Sequence, residues 1–369
     1  MYLYLIFILL LVGSFLEVFD SKRKKAARII YYYTFSILFL LSFLRWERGT
    51  DWSGYYDYFS NIYDLDFSNN FENGFILLNY CIHSLFNNYT VLLFVLAAIQ
   101  YFYLSKAIGY LSIYPVMSLL CYLSVTKGGI FFVRQYIALA ILMYSIKYVI
   151  EKKIYKFIFA VIIACMIHRT ALLFLPVYFF FYRNIKIRYY IIVLLIIIPV
   201  AVYLSRVFDS ISTGIINSII ENKINNYINK SASGETYGIE LSKSTILIRG
   251  VVKRGLIILL YFLFMRKELA TNGTARGLFN IYFFGTCLYI LLTPLSEQLS
   301  RVCLYFDITD IFLFPLLIYK QNIKWNKLLF FTLVIVFSSI RLHSSIELRK
   351  ELFIPYKSIF NKEKIVEIG

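Results

Sequence analysis

Apolar runs long enough to cross a bilayer follow one another along almost the whole chain, and no other feature limits its fold so strongly. They fall near residues 2 to 19, 28 to 44, 89 to 105, 109 to 126, 129 to 150, 189 to 207, 245 to 265, 277 to 293, 300 to 319 and 326 to 342. Each is close to the roughly 17 to 25 residues that a helix needs to traverse the hydrocarbon core. An open strand in that medium would leave its amides unpaired, so the runs are read as helices. The expected fold is all-α, a polytopic transmembrane helix bundle of about ten spans plus short broken or re-entrant helices. At 60% hydrophobic and 16% charged residues, the chain lies far from soluble composition. It is read as a single integral membrane domain over 1–369, with membrane lipids as partners. The first run has no basic segment before it and no small-residue cleavage site after it, so it is expected to be a retained span.

Charge between the runs sets the orientation. Ser21 to Arg28 carries Lys22, Arg23, Lys24, Lys25 and Arg28 with no acid, and such connectors stay in the cytoplasm. The amino terminus is then outside, as is the loop 45–73 with its acidic and aromatic residues. Lys152, Lys153, Lys156, Arg266, Lys267, Lys320, Lys324 and Lys327 fall inside. Arg183, Lys186 and Arg188 also belong inside, which requires residues 157 to 182 to enter from the cytoplasm and return to it. His168 would then sit at the tip of a hairpin. One long tilted helix is the alternative, and it inverts everything after it. The hairpin reading makes the loop 208–244 external, a flap capping an external cavity, and the tail 343–369 external too. Because the net charge of +17 resides largely in these connectors, nucleic acid is not an expected partner. Gly74 to Phe86 is short for a span. The cysteines, Cys81, Cys121, Cys165, Cys287 and Cys303, lie in apolar stretches without disulfide or zinc spacing and are read as packing residues.

Arg134, His168, Arg249 and Arg301 stand in or at the edge of these apolar stretches. An arginine near the bilayer centre costs roughly 2.5 to 3.5 kcal/mol on insertion scales, so a chain keeps one chiefly where it faces water or an anion. Arg134 follows Phe131, Phe132 and Val133, with Gln135 beside it, and needs a partner from elsewhere; Asp51 and Glu72 are the candidates for an ion pair. His168 is one of three histidines and is suited to proton exchange near neutral pH. Tyr305 follows Arg301 at helical spacing and Glu297 precedes it, so internal pairing of Glu297 with Arg301 is the simpler account. The run Arg45, Trp46, Glu47, Arg48, Gly49, Thr50, Asp51, Trp52 places two guanidiniums and two carboxylates next to a span. Arginine forks onto phosphate oxygens while a nearby carboxylate takes a proton; an interfacial anchor would use the same residues. Arg249 and Arg254 begin a span, where the membrane surface alone would explain them. Walker A, HExxH, GxSxG and Cys/His signatures are absent, which disfavours ATP hydrolysis and zinc chemistry.

Several of these residues resemble the EpsG-type branch of the Wzy-like bacterial polysaccharide polymerases. The resemblance runs through Arg48, Gly49, Thr50, Asp51, Trp52 with Tyr55 or Tyr56, then Glu72, Asn73, Gly74, Phe75 with Leu78 and Asn79. It continues through Arg134, Gln135 and Ala138, then His168, Thr170, Ala171 and Leu172, and ends with Arg301, Tyr305, Phe306 and the tail Pro355, Tyr356, Lys357. Arg169 stands where that family more usually has a small residue. The resemblance implies a glycosyltransferase of the bacterial cytoplasmic membrane, facing the outside or periplasm. It would join undecaprenyl-diphosphate-linked glycan repeat units into a capsule, O-antigen or exopolysaccharide, without cofactor or metal, with a chain-length regulator as a further partner. On this reading Arg134, Arg301 and Arg48, with Gln135 and Tyr305, bind the diphosphate. His168, Asp51 and Glu72 are candidates for handling the proton, and Arg45, Arg249 and Tyr356 are secondary candidates. Competing expectations are a transporter or flippase for a lipid-linked or anionic solute, for which intramembrane arginines are equally in place, and a membrane O-acyltransferase with His168 as base.

Overall fold

In the computed structural model of the protein, residues 2–67, 71–131, 133–212, 243–348 and 350–361 are described. They form an all-α, polytopic architecture. Among them, seven helices are long and apolar enough to cross a membrane: Tyr2–Phe19, Ser21–Phe43, Tyr89–Leu111, Ile187–Leu204, Gly273–Leu292, Arg301–Tyr319 and Lys324–Glu347. The chain divides into two compact units, residues 1–178 with 311–369, and residues 179–310.

The first unit opens with α1 (Tyr2–Phe19), α2 (Lys24–Phe43), α3 (Trp52–Ser60), α4 (Asn73–Phe86), α5 (Tyr89–Leu111), α6 (Pro115–Thr126), α7 (Arg134–Ile150) and α8 (Ile154–Ile167). α1 packs closely on α2 and α6, because Gly13 leaves room: a Cβ there would stand 2.8 Å from Ile30 and 2.9 Å from Val116. One turn on, the Glu17 carboxylate accepts the amides of Val116 and Met117, each at 3.2 Å. These belong to the first turn of α6, whose amides have no partner within the helix.

The two spans expected at 109–126 and 129–150 need correcting. α6 has only 12 residues and α7 has 17. Between them Lys127 (φ 55), Gly128 (φ 76) and Gly129 (φ 80) are all left-handed, which no right-handed helix passes through. This link is buried, so its carbonyls need partners from side chains. Gln100 on α5 donates to the Gly129 carbonyl at 3.1 Å. The Tyr101 hydroxyl lies 2.8 Å from the Gly128 carbonyl and 3.0 Å from that of Leu38. Arg45, just past α2, donates to the Phe131 carbonyl at 3.0 Å.

α8 ends at His168, and a 3-10 turn (Arg169–Phe174) and a short helix (Val177–Phe180) follow. In a straight helix Phe157 and Tyr178 would lie about 30 Å apart. Their ring centroids are 5.7 Å apart, and Phe157 also meets Phe174 at 6.3 Å. The segment is a hairpin, and the chain leaves it at the end where it entered.

The second unit contains α9 (Ile187–Ser212), α10 (Lys243–Phe264) and α11 (Gly273–Leu292). α11 is its centre. The Asn280 amide on α11 reaches the carbonyls of Phe180, Phe181 and Arg183 at 2.9, 3.1 and 3.0 Å, and its oxygen accepts from Tyr190 on α9. Tyr190 in turn lies among Phe262, Phe279 and Phe283. Most of the loop expected to cap a cavity, residues 213–242, lies outside the described residues.

The chain then returns to the first unit through α12 (Asp310–Tyr319) and α13 (Lys324–Glu347). Ser118 on α6 donates to the Ile311 carbonyl at 2.7 Å. The span expected to end at 342 runs on to Glu347, and the tail begins after it. There, residues 357–359 pair antiparallel with 44–46: the Trp46 amide donates to Lys357 at 2.9 Å and the Ile359 amide to Leu44 at 3.0 Å.

Two glycine substitutions should act in opposite directions. Gly129→Ala puts a methyl into the Gln100 amide and 2.7 Å from the Tyr122 hydroxyl at a positive φ, and should cost about 2 kcal/mol or more. Gly109→Ala, within α5 and facing open space, should gain up to about 1 kcal/mol. Thermal unfolding of the detergent-solubilised protein measures both.

Candidate active site

The break between α6 and α7 makes Arg134 the first residue of a helix rather than a side chain in mid-span. Its guanidinium meets residues from two other segments, α3 and the start of α4. Nη1 donates to the Glu72 carboxylate at 2.6 Å, and Nε donates to the Tyr55 hydroxyl at 2.9 Å. The rings of Phe71, Tyr55 and Phe75 surround it, with centroids 4.7, 5.3 and 5.5 Å from Cζ. Of the two partners open from sequence, Glu72 rather than Asp51 forms the ion pair.

Glu72 directly precedes α4 and holds more than Arg134. Its other oxygen accepts the Arg169 amide at 3.1 Å and lies 3.4 Å from the Arg169 Nε. One carboxylate therefore grips two arginines and the start of the turn that follows α8. Close packing makes this possible: at Gly74 a Cβ would stand 2.7 Å from the Met166 carbonyl. Burial alone would raise the Glu72 carboxyl, but the Arg134 charge and the Arg169 amide hold it below the usual carboxylate value of 4.5.

His168 precedes Arg169, and its Nδ1 lies 2.6 Å from the Thr170 hydroxyl. Glu72, Arg134, Arg169 and Asp51 are all near enough to act on its charge. Asp51 itself is exposed at the start of α3, with no side-chain capping bond to that helix. Gln135 is half-buried one residue along α7. The fold thus gathers Tyr55, Glu72, Arg134, His168 and Arg169, with Asp51 close by. Tyr55 was legible only as part of the resemblance and Arg169 only as a departure from it, with no partner assigned to either.

Other expected residues have different tasks. Arg45 is 2% exposed, and its Nη1 donates to the carbonyls of Arg48 and Phe131 at 2.7 and 3.0 Å. It braces the loop against the broken helix. Gly49, at φ 108, passes so near this guanidinium that a Cβ would be 2.8 Å from Nη1. Arg48 donates to the Glu351 carbonyl at 3.0 Å and ties the loop to the tail, and Tyr356 donates to the Leu41 carbonyl at 2.9 Å and ties the tail to the end of α2.

Arg249, Arg301 and Tyr305 belong to the second unit. Arg249 is exposed on α10, Arg301 is exposed at the start of a 3-10 turn, and Tyr305 is 1% exposed in the helical turn after it. The Glu297 side chain lies outside the described residues. The membrane surface does not explain Arg254. It is buried, its Nε donates to Asp307 at 3.0 Å, and its Nη2 contacts the same carboxylate oxygen. Nη1 donates to the Gly250 carbonyl at 3.2 Å, and the Tyr289 ring lies 3.5 Å from Cζ. Nothing local in the sequence links positions 254 and 307.

The profile of the EpsG family matches residues 28–358. No curated protein and no solved structure matches the chain.

Two stability measurements follow from these pairs. A carboxyl held lower in the folded than in the unfolded protein stabilises fully above its unfolded value and ceases to do so as pH falls through the folded one. The unfolding midpoint should therefore drop below pH 4.5 more steeply in the wild type than in Glu72→Gln. For the buried pair, Arg254→Met or Asp307→Leu alone should cost about 3 to 5 kcal/mol, and the double variant should recover most of it. Equal losses in single and double variants would show that Asp307 is not the group that compensates Arg254.

Proposed function

This chain belongs to the EpsG family of membrane polysaccharide biosynthesis proteins, and we propose that it polymerises undecaprenyl-diphosphate-linked oligosaccharide repeat units on the outer face of the bacterial cytoplasmic membrane. A sugar hydroxyl of one carrier-linked unit attacks the anomeric carbon of the growing glycan on another. The new glycosidic C–O bond forms as the bond to diphosphate breaks. The carrier diphosphate leaves with the bonding electrons, and the hydroxyl proton passes to a base.

The observation that carries this reading is the pairing of Arg134 and Arg169 on one carboxylate, Glu72, at 2.6 and 3.4 Å. Guanidiniums held in fixed directions at the ends of broken helices meet developing diphosphate charge without reorganising, and in an apolar setting such groups act strongly. Glu72 has both oxygens engaged, so its part is to orient the arginines. The proton falls to His168 or Asp51. Gln135, next along α7, is a further candidate for holding the diphosphate, and Arg301 is a separate one.

Replacing Arg134 or Arg301 with alanine should abolish long-chain glycan while single repeat units are still made, read as the length distribution on a gel from cells complemented with each variant. Arg134→Lys keeps the charge opposite Glu72, so the protein stays folded, yet it should lose roughly a hundredfold in polymer because an ammonium does not fork onto two oxygens. A full ladder from both Arg134→Ala and Arg301→Ala would overturn the assignment. So would repeat units trapped inside the cell, the mark of a flippase.

A further inference from the structure

α3 faces two neighbourhoods. Tyr55 meets Phe75, and its hydroxyl oxygen accepts from the Arg134 Nε. Trp52, Tyr56 and Phe59 recur on the same face at helical spacing but join a second aromatic group. Tyr56 stacks on Trp52 at 5.0 Å and 9°, and Trp46 and Tyr89 stand edge-on to Tyr56 at 5.5 and 5.3 Å.

Of these rings Trp46, Tyr56, Phe59 and Tyr89 line an open cavity of about 350 Å³, within the size range of small-molecule sites. The rest of the lining is Ser60, Asn87, Asn88 and Thr90 with one apolar side chain, Ile359, and no charged side chain is among the described residues that line it. Tyr89 is 5% exposed, and its hydroxyl has no hydrogen-bond partner among the described residues. The Trp52 indole nitrogen, in the ring stacked on Tyr56, also has none. Buried polar groups without partners are uncommon in folded proteins, and each calls for a reason.

We infer that this cavity is a saccharide subsite that takes a neutral pyranose of the glycan substrate. A pyranose offers an apolar C–H face to aromatic rings and a rim of hydroxyls to uncharged donors and acceptors, and this lining supplies both. A lipid chain would leave Ser60, Asn87 and Thr90 unpaired, and an anionic headgroup would meet no cation in the wall. Since α3 carries both Tyr56 and Tyr55, a sugar seated here lies one helix face from Arg134 and Glu72. The inference rests on the transfer reading for its substrate, but the binding it predicts is measured without any transfer.

The chain has three tryptophans: two belong to this aromatic group, and the third, Trp325, is exposed at the start of α13. Trp325→Phe protein in a detergent without a sugar headgroup therefore reports on the cavity through its fluorescence. Titration with glucose, galactose, N-acetylglucosamine, N-acetylgalactosamine and their disaccharides should give a saturable change with at least one of them. Tyr56→Ala and Tyr89→Phe should weaken that binding roughly tenfold. Tyr89→Phe removes an unpartnered hydroxyl, so its unfolding midpoint should not fall, which separates a binding role from a structural one. No saturable change with any sugar, or an undiminished one in Tyr56→Ala, overturns the subsite. Sugar binding alongside an unaltered ladder in Arg134→Ala and Arg301→Ala would instead remove the transfer reading and leave the subsite standing.

Discussion

The organisation of the first unit depends on a stretch of backbone that is neither helical nor wet. Between α6 and α7 three successive residues are left-handed, and an apolar surrounding tolerates such backbone only where protein groups replace the lost helical hydrogen bonds. Gln100, Tyr101 and Arg45 do this, from α5 and from the loop after α2. The consequence is positional. Restarting the helix at residue 134 puts a guanidinium at a helix start, where the unpaired amides already favour negative charge. The tail reinforces the bracket by pairing with residues 44–46 and by setting the Phe353 ring 4.8 Å from the Lys127 ammonium and 4.6 Å from Phe131.

Two ion pairs in the molecule illustrate different uses of the same chemistry. Arg254 and Asp307 are both buried, and Tyr289 covers the guanidinium face. Such a pair fixes how helices meet, because losing either partner strands a charge. Around Glu72 the arrangement is unequal: one carboxylate faces two arginines, and the Arg169 side chain is 61% exposed. Two cations on one carboxylate leave a guanidinium charge beside solvent, the feature on which the proposed diphosphate binding rests. Glu72 limits how far either guanidinium swings, so the site is held in place before any ligand arrives.

Much of the fold was legible because apolar length is a local property, and the runs at 2 to 19, 89 to 105 and 277 to 293 each became a helix. The basic residues Arg183, Lys186 and Arg188 likewise asked the chain to return to its own side, and the turn of the hairpin falls at His168, where the long-helix alternative would have run straight on. What was not legible depends on distance along the chain. Lys127, Gly128 and Gly129 invited a break, but apolar residues on both sides concealed that all three turn left-handed. The choice of Glu72 over Asp51 as partner of Arg134 is made by α4 packing on α8 through Gly74, and the burial of Arg45 by a carbonyl 86 residues away. Arg254 and Asp307 lie 53 residues apart, and no periodicity connects them.

The short helix α3 then takes on a weight out of proportion to its 9 residues. Its face is wide enough for Tyr55 to touch the ionic cluster while Trp52, Tyr56 and Phe59 line the aromatic side. Rotating or sliding it would break the Tyr55 contact with Arg134 and the stack of Tyr56 on Trp52 together. For the proposed transfer, whose substrate would carry both sugar and diphosphate, that coupling would hold the two at a fixed separation along the same chain of atoms. A rigid element shared by both neighbourhoods sets that separation through covalent geometry. Gly49, braced against Arg45 three residues before α3 begins, fixes where the helix starts, so the loop that anchors the tail also sets the register of the site.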